Sequence, residues 1–497
     1  MEQERIDSIV DGVARTLEQS QRTPGRSGWK RFDDDAPRSR KYSAYLRPAT
    51  SAAATASSGV YESVEEAFEA AREAQQLFQK ATLEKRHTVV ETVRQTMREH
   101  VEEISRLAVE ETGLGRVADK VQKNLLVTNK SPGPEILRPE AWSGDHGLMI
   151  TEPAPYGVIG SITPSTNPSE TLINNGIGMV AAGNAVVFNA HPSAKRVTLR
   201  TLALFNDAVV RAGGPPNLLT SCAEPTIDSA QRLMRIPGIR LLVVTGGAGV
   251  VKEAFASGKK VIAAGPGNPP VVVDETADLQ KAARDSVAGA SLDNNVICTS
   301  EKETLCVASV LGRLMEEMEK AGCYRMTAEQ ARELRKHVLA EERGPGRMGV
   351  VNRDLIGKNA SVLLAKIGVR VSDEVRLAIF EAEPDDPLVW TEQLMPVYPI
   401  VPVRDCDEGI DLAVRVEHGF GHTALMFSRN IDKLSEMARR VNTSIFVKNG
   451  PSFAGLGLGG EGYSSFTIAS PTGEGLTNAR HFSRYRRCTL VDHFRIV

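Results

Sequence analysis

The first 18 residues place apolar side chains at intervals of three and four positions, which is the spacing of one face of an α-helix. The apolar positions are Ile6, Ile9, Val10, Val13 and Leu17. Residues 19–58 lack such a period and are rich in Arg, Ser, Pro, Ala and Asp. Because a stretch of this composition cannot bury enough apolar surface to offset its ordering entropy, we expect an amphipathic helix over 1–18 and a flexible linker over 19–58.

An isolated helix of this length is only marginally stable in water, so its apolar face is most useful against another surface. That surface is either a groove on a partner or another copy of the same helix. The alternatives are that the helix packs back on its own chain or is a frayed terminus. The hydrophobic pattern leaves these alternatives open.

From Val60 onward the pattern becomes regular. Residues 61–111 predict two amphipathic helices ended by Gly113. After the segment SPGPEILRP, helices alternate with apolar, strand-like runs, which are YGVIGSITP, AVVFNA, NLLTSC, IRLLVVTG, VIAAGPGNPPVVVD, LCVAS, LLAKIGVRV, YPIVPVRDC and TALMFS. This alternation predicts an α/β fold with parallel sheets covered on both faces, divided into two units of which the second begins near residue 265.

Length and charge narrow the function classes. At roughly 150 residues per domain, the 497 residues allow two or three domains. The 60 Lys and Arg balance 62 Asp and Glu, which argues against a general nucleic-acid binder. No apolar run approaches the roughly 20 residues that span a bilayer, and the acidic N-terminus is unlike a secretory signal. We therefore expect a soluble, cytoplasmic protein without nucleic-acid or membrane partners.

The six cysteines are too sparse and too irregularly spaced for a disulfide framework or a zinc site, so we expect no metal. Most should be reduced and buried. Cys298 differs because the segment LDNNVICTSEK places it in a polar turn between a predicted helix and a strand. Backbone N–H groups in such a turn can lower a thiol pKa, whereas Cys306 lies within the strand and should be inert.

Two segments predict ligand contacts through their backbone. The strand LLVVT runs into GGAGVVKEAF, where Gly246 and Gly247 would let a pyrophosphate or ribose approach a helix N-terminus. A plain strand-to-helix turn also uses glycine, and the spacing is not GxGxxG. The segment GIGMVA has GxGxxA spacing but lies inside a helical pattern, where close helix packing explains it better.

Three further features have both a structural and a functional reading. Asn167 stands between Pro164 and Pro168, where its amide could be a rigid oxyanion donor or only a turn former. The run GLGLGGEGYSSF over 455–466 is either a surface loop or a loop that passes close to a ligand. Glu392 precedes a strand, where a solvated acid is the ordinary explanation.

Taken together and in order, these segments resemble the aldehyde dehydrogenase superfamily from residue 60 to 497. The resemblance is strongest to its CoA-acylating branch, the propionaldehyde and acetaldehyde dehydrogenases of bacterial microcompartments. The motifs that carry it are ITPSTNPSET, NAHPSAK, VVTGGAGVV, AAGPGNPPVVVD, DNNVICTSEKE, GHTALMFS and SSFTIASPTGEGLTNARHFSRYRRCTLVD.

The resemblance implies roles for particular residues. It makes Cys298 the nucleophile, and it makes the Asn167 side chain and the Cys298 backbone N–H the oxyanion donors. A nicotinamide cofactor would contact a set of loop residues, namely Thr163, Pro164, Ser165, His191, Pro192, Thr245, Gly246 and Gly247. Glu392 would hold the ribose next to the nicotinamide. His191 stands where hydrolytic members usually have a Lys near the adenosine ribose, and this departure leaves the choice between NAD and NADP open. NAD is the preferred candidate.

The resemblance also predicts the product. Hydrolytic members have a water-activating Glu in an E-L-G-G-K segment, and Ala264 of AAGPGNPP takes that place here. Without a positioned base, the acyl-enzyme should be released by the thiol of coenzyme A. The expected reaction converts propionaldehyde, acetaldehyde or lactaldehyde to acyl-CoA. The alternatives are a hydrolytic dehydrogenase that yields free acid, and an inactive scaffold that only binds shell proteins.

The implied organisation includes assembly. The helix over 1–18 resembles the encapsulation peptides of microcompartment cargo enzymes, which predicts docking to shell proteins inside a microcompartment. Residues near 135–152 and the terminal strand CTLVDHFRIV predict a small oligomerisation element, because an unpaired apolar strand invites association as a homodimer or homotetramer. The predicted segments after the helix and linker are a Rossmann-like NAD-binding domain over 59–264, a catalytic α/β domain over 265–445, and a return to the cofactor domain over 446–497.

Overall fold

The computed structural model describes residues 59–496. The predicted helix over 1–18 and linker over 19–58 lie outside the described residues. No helix in the described range combines the length and apolar character needed to cross a membrane.

The α-helices of the described range differ in length from six to seventeen residues. In chain order they are α1 Val64–Phe78, α2 Leu83–Glu99, α3 Val101–Thr112, α4 Val117–Lys130, α5 Pro168–Ala181, α6 Lys195–Arg211, α7 Ile227–Arg235, α8 Ala248–Ala256, α9 Leu279–Ser291, α10 Ala308–Lys320, α11 Ala328–Val338, α12 Ala360–Ala365, α13 Cys406–Val416 and α14 Ile431–Val441.

The strands of the described range are short. In chain order they are β1 Val60–Tyr61, β2 Glu140–Gly144, β3 Gly147–Pro155, β4 Val158–Ile162, β5 Ala185–Asn189, β6 Leu219–Cys222, β7 Ile239–Thr245, β8 Lys260–Ala264, β9 Pro270–Val273, β10 Glu303–Val307, β11 Cys323–Arg325, β12 Leu339–Glu341, β13 Val350–Val351, β14 Leu377–Glu381, β15 Val397–Val403, β16 Thr423–Phe427, β17 Ile445–Lys448, β18 Ile468–Ala469, β19 Gly475–Leu476 and β20 Ser483–Val491.

Local sequence sets several helix ends. The Ser63 side chain accepts the Glu66 N–H at the start of α1, which satisfies one of the free donors of the first turn. A reciprocal capping box of Thr327 and Gln330 starts α11. Gly113 ends α3 in the left-handed conformation, with a φ of 67°, as the sequence predicts.

Two parallel sheets form the core. The first has the strand order β1-β6-β5-β4-β7-β8, and the second has the order β11-β14-β15-β10-β9-β16-β17. Every residue of β4, β5 and β10 is buried. Because successive side chains of a strand point to opposite faces, full burial means that both faces are covered, which is the predicted α/β fold.

A third, antiparallel sheet has the order β2-β3-β20. Its register runs from Ser483 opposite Pro155 to Val491 opposite Gly147. It brings together the two segments that the sequence predicts for oligomerisation, and it exposes large apolar side chains such as Trp142. Two small antiparallel pairs, β12 with β13 and β18 with β19, complete the pairing in the described range.

The structure differs from the sequence-based expectation in three places. The predicted second helix within 61–111 breaks at His100 into α2 and α3. The run LLAKIGVRV is not a strand, because its first residues end α12 and the strand β14 begins only at Leu377. Helix α4 was not predicted, because its buried face carries polar side chains such as Lys120, Lys123 and Asn124 and shows no apolar period.

Candidate active site

A cavity of about 270 Å³ lies at the carboxyl ends of strands β4, β7 and β8, next to the loop that carries Cys298. The carboxyl ends of parallel strands are where open α/β sheets bind ligands. The lining residues are Pro164, Ser165, Thr166, Asn167, His191, Thr245, Gly246, Gly247, Ala264, Gly265, Pro266, Val296, Ile297, Cys298, Glu392, Leu394, Leu456, Phe466 and Ile468.

All of the predicted site residues except Thr163 and Pro192 line this cavity. Thr163 is buried behind the wall, where its N–H donates to the Asn189 carbonyl at 3.2 Å. Pro192 begins an exposed 3₁₀ turn just beyond His191. The fold therefore gathers segments that are more than 200 positions apart in the sequence, while the role of each residue stays a prediction.

The start of helix α8 fits the phosphates of a dinucleotide. Gly247 is its N-cap, and no side chain caps the first turn, so the backbone N–H groups there are available to an anion. A Cβ built at Gly247 would meet no atom within 4 Å, so the backbone faces open space. Thr245, at the end of β7, is held by a 2.9 Å hydrogen bond between its hydroxyl and that of Thr467.

Cys298 is the one partly exposed residue in the run 291–300, and its neighbours in that run are buried. Burial, with a smaller contribution from the nearby Glu392 carboxylate, raises the pKa of the Cys298 thiol to about 12, although Lys302 acts in the opposite direction. The expected lowering of this thiol pKa is therefore wrong for the free protein. The backbone donors of the turn do not outweigh the loss of water around the sulfur.

Lys302 supports the backbone of the same loop. This role was not identified from the sequence. Its buried ammonium donates to the carbonyls of Asn295 at 2.9 Å and Ile297 at 3.2 Å. Burial lowers the pKa of Lys302 to about 8. A lysine next to two glutamates in the segment SEKE looks like surface charge in a sequence, so nothing there indicated a buried role.

Asn167 is the N-cap of α5, with Pro168 in the first helical turn. Its side-chain carbonyl, Oδ1, accepts a hydrogen bond from Lys123 Nζ at 2.6 Å. Its amide nitrogen, Nδ2, contacts Thr166 Oγ1 at 3.2 Å. Since Oδ1 is engaged by the lysine, the amide N–H group is the part of Asn167 left as a donor for the cavity.

Glu392 is the one carboxylate among the described residues that line the cavity. Its Oε1 accepts the Gly267 N–H at 3.3 Å. Burial raises the pKa of Glu392. Ala264, which the resemblance places where hydrolytic members carry an acid, also lines the cavity and offers only a methyl group there.

An apolar wall closes the rest of the cavity. It includes two side chains of the glycine-rich run 455–466, which therefore passes close to the site rather than standing free as a surface loop. The apolar lining residues are Val296, Ile297, Leu394, Leu456, Phe466 and Ile468. Such a wall suits the alkyl part of a small substrate.

Most of the remaining cysteines are buried, as expected. Cys222, Cys306 and Cys406 are buried, and burial raises the pKa of Cys306 to about 12. Cys323 is half-buried and Cys488 is exposed on β20, so three of these five cysteines are buried, in line with the expectation that most are. The described residues contain no group of three or more His, Cys, Asp or Glu that could hold a metal ion.

Comparison with known proteins places the chain in a family. The model of the aldehyde dehydrogenase family matches residues 36–479. Acetaldehyde dehydrogenase (acetylating) EutE of Salmonella typhimurium is 51% identical over 442 residues, which cover 88% of this chain and 94% of that protein. Propanal dehydrogenase (CoA-propanoylating) of Citrobacter freundii is 45% identical over 439 residues, which cover 88% of this chain and 94% of that protein.

Solved structures agree with these relatives. A propionaldehyde dehydrogenase from the fucose utilisation microcompartment of Clostridium phytofermentans has a TM-score of 0.86 and 45% identity, over 88% of this chain and 100% of that chain. The Rhodopseudomonas palustris propionaldehyde dehydrogenase with bound CoA and an acylated cysteine has a TM-score of 0.85 and 45% identity, over 88% of this chain and 98% of that chain. Fold, motifs and sequence agree, and the chain belongs to the aldehyde dehydrogenase family.

Proposed function

We propose that this protein oxidises a short-chain aldehyde to its acyl-CoA, with NAD as oxidant and coenzyme A as acyl acceptor. The observation that carries the proposal is the makeup of the cavity wall around Cys298. The partly exposed Cys298 lines the same cavity as Ala264, which the family resemblance places where hydrolytic members carry a water-activating acid. Glu392, the one carboxylate among the described lining residues, accepts a backbone N–H. The relatives named above act on acetaldehyde and propanal, and they are named as acetylating and CoA-propanoylating enzymes.

The chemistry begins at the Cys298 thiolate, which adds to the aldehyde carbonyl carbon and leaves the negative charge on the oxygen. The Asn167 amide N–H and the Cys298 backbone N–H are the donors proposed for this oxyanion. Loss of a hydride from the carbon of this adduct leaves an acyl thioester on Cys298. NAD, when bound, accepts this hydride.

The second half of the reaction releases the acyl group. The thiol of coenzyme A attacks the thioester carbonyl, and its proton passes to the departing Cys298 sulfur, so the enzyme returns to its starting thiol. The proton that Cys298 lost when it added to the aldehyde is the one released to solvent. Because the Cys298 thiol is mostly protonated at neutral pH in the free enzyme, we expect it to react slowly with alkylating agents.

The residues present fit the cofactor. The uncapped first turn of α8 suits the pyrophosphate, and Thr245 and Gly246 stand beside it. Ser165 and His191 line the same side of the cavity, and Glu392 is proposed to hold the ribose next to the nicotinamide. NAD is the oxidant in this proposal, and NADP is the alternative.

Coenzyme A dependence is the decisive measurement. With propionaldehyde and NAD alone, we expect a burst of about one NADH per active site and then at least about tenfold slower turnover than with coenzyme A, because water lacks a positioned base. Stopped-flow absorbance of NADH, with and without coenzyme A, measures both phases. Acetaldehyde and lactaldehyde in the same assay rank the substrates.

Full steady turnover without coenzyme A would overturn the acylating proposal and favour the hydrolytic alternative. In that case Glu392→Gln, assayed at saturating NAD so that a lost ribose contact does not limit the rate, would test whether Glu392 activates the water.

We also propose that the enzyme assembles as a homodimer or homotetramer through the sheet β2-β3-β20, which is supported by the exposed apolar side chains of that sheet.

We further propose that the enzyme is microcompartment cargo, docked to shell proteins through residues 1–18, which is supported by the amphipathic pattern of these residues. Deleting residues 1–18 should release the enzyme from co-expressed shells without changing its turnover. Unchanged co-purification of the shortened enzyme with shells would contradict the docking role.

A further inference from the structure

Lys123 is a fully buried lysine beside the candidate oxyanion site. Its Nζ donates to Asn167 Oδ1 at 2.6 Å and lies 2.6 Å from Asp293 Oδ2 and 3.0 Å from Glu170 Oε1. Its side chain is 1% exposed. The first contact is a hydrogen bond and the other two are ion pairs, so three partners hold the ammonium group in place.

The lysine touches both segments that supply the proposed oxyanion donors. Asn167 is one donor, and it caps α5. Asp293 opens the loop that ends at Cys298, whose backbone N–H is the other donor. Residues 293–295 of this loop have φ values of 51°, 54° and 67°, a run of three left-handed residues that is costly unless side-chain contacts hold it.

We propose that Lys123 is a positioning residue that fixes the orientation of the Asn167 carboxamide, so that its N–H and not its carbonyl faces the oxyanion. The proposal deepens the proposed function and rests on it. A carboxamide has two orientations of nearly equal shape that present opposite polarity. A lysine can only donate, so it selects the orientation in which Oδ1 faces Nζ and Nδ2 faces away.

The charge of Lys123 is secure. Burial alone would lower the pKa of Lys123, but Asp293 and Glu170 outweigh it and raise the pKa to about 12. The lysine therefore stays a donor across the working range of the enzyme. If it were absent, the carboxamide could turn its carbonyl oxygen toward the developing oxyanion, which would repel it instead of stabilising it.

Lys120 provides a matched comparison within the same helix. It is also fully buried and lies 2.9 Å from Asp293 Oδ2, one turn before Lys123. Its other contact is the Thr166 carbonyl at 3.3 Å, so its ammonium group bonds to the backbone before Asn167 and not to the carboxamide. Loss of Lys120 thus removes a comparable buried charge without freeing the carboxamide.

The test is a double-mutant cycle of Lys123→Met and Asn167→Ala, read by the rate of NADH formation with saturating aldehyde, NAD and coenzyme A. Asn167→Ala should lower kcat by about 10²- to 10³-fold, as loss of one oxyanion donor does. Lys123→Met should lower kcat by at least about tenfold. Its affinity for NAD, measured by a fluorescence titration, should be unchanged. In the double variant, the loss should stay within about threefold of that of Asn167→Ala alone, because residues that act as a unit are not additive.

A purely structural lysine would give the opposite pattern. The fold-decrease in kcat from Lys123→Met would then multiply with the fold-decrease from Asn167→Ala, and this result would overturn the proposal. The fold-decreases in kcat from Lys120→Met and Asn167→Ala are expected to multiply, which shows that the cycle can detect independent effects. Lys123→Gln, which keeps an N–H donor, should recover part of the rate that Lys123→Met loses, and failure to do so would count against the orientation role.

A substitute variant and folding controls cover the case in which Lys123→Met is unstable. If Lys123→Met is too unstable to purify, Lys123→Met combined with Glu170→Gln removes a cation and an anion together and takes its place in the cycle. Circular dichroism and thermal denaturation verify that each variant is folded. If the unmodified enzyme forms no NADH from any aldehyde with coenzyme A, the proposed function fails. If it is active but the losses multiply, only the role of Lys123 fails.

Discussion

Replacing Cys298 by alanine is expected to lower NADH formation from a short-chain aldehyde by at least about 10⁴-fold, because removal of a covalent nucleophile eliminates the path it opens. The fold should survive, since Cys298 is partly exposed at a cavity and its loss creates no closed void. The measurement is the steady-state rate with saturating NAD and coenzyme A, together with a thermal denaturation curve for each protein.

Cys306→Ala is the matched control. Cys306 lies eight positions later in β10 and is fully buried, so its loss should cost stability on the order of 1 kcal/mol and leave the rate within about twofold. A Cys298→Ala variant that retained activity within tenfold of the unmodified enzyme would refute the nucleophile.

Replacing Asp293 by asparagine is expected to lower the free energy of unfolding by at least about 3 kcal/mol, because it leaves two buried ammonium groups without their shared anion. The Asp293 side chain is fully buried and pairs with Lys120 at 2.9 Å and Lys123 at 2.6 Å. It also accepts the Arg116 N–H at 2.9 Å, which ties the loop before Cys298 to the start of α4. Urea denaturation followed by circular dichroism measures the change.

The pH dependence of this loss has a definite sign. Burial alone would raise the pKa of Asp293, but Lys120 and Lys123 outweigh it and hold the pKa below the ordinary value of 3.8. A carboxylate whose pKa is lowered on folding contributes stability above its unfolded pKa, and the contribution disappears as the pH falls through the folded pKa. The difference in unfolding free energy between the unmodified protein and the Asp293→Asn variant should therefore be constant near neutral pH and shrink only in acid below that value.

Asp411→Asn is the control for charge loss at the surface. Asp411 pairs with Arg440, but its side chain is 63% exposed. Exposed ion pairs contribute little because water and salt screen them, so the change should stay within about 0.5 kcal/mol. A similar small effect at Asp293 would show that the buried network does not hold the loop.

Much of the architecture could be predicted from local sequence. Val, Ile and Leu runs become buried parallel strands because such strands need apolar side chains on both faces, and β4, β5 and β7 follow this rule. Helix α4 could not be predicted by the same rule. It buries Lys120 and Lys123, and a lysine is read as solvent-exposed unless its partners, far away in the chain, are known.

The candidate site also has features that could be predicted from the sequence and features that could not. Cys298, Asn167 and the glycine turn at 246–247 could be singled out because turn residues beside strands are identifiable locally and their motifs resemble those of a known family. The ionisation of the thiol could not be predicted. A turn with nearby backbone donors indicates a lowered pKa, whereas the real surroundings are desolvated and include the Glu392 carboxylate, which arrives from a segment almost 100 positions later.

By itself, the sequence determined the periodicities, the turns and the order of the motifs, because these depend on neighbours within a few residues along the chain. It thereby determined the α/β class and singled out the cysteine proposed to react. Which charges are buried, and which groups they contact, depends on the tertiary structure. The energy of a buried charge depends on partners brought together by folding, and the ion network of Lys123, Asp293 and Glu170 joins segments up to 170 positions apart.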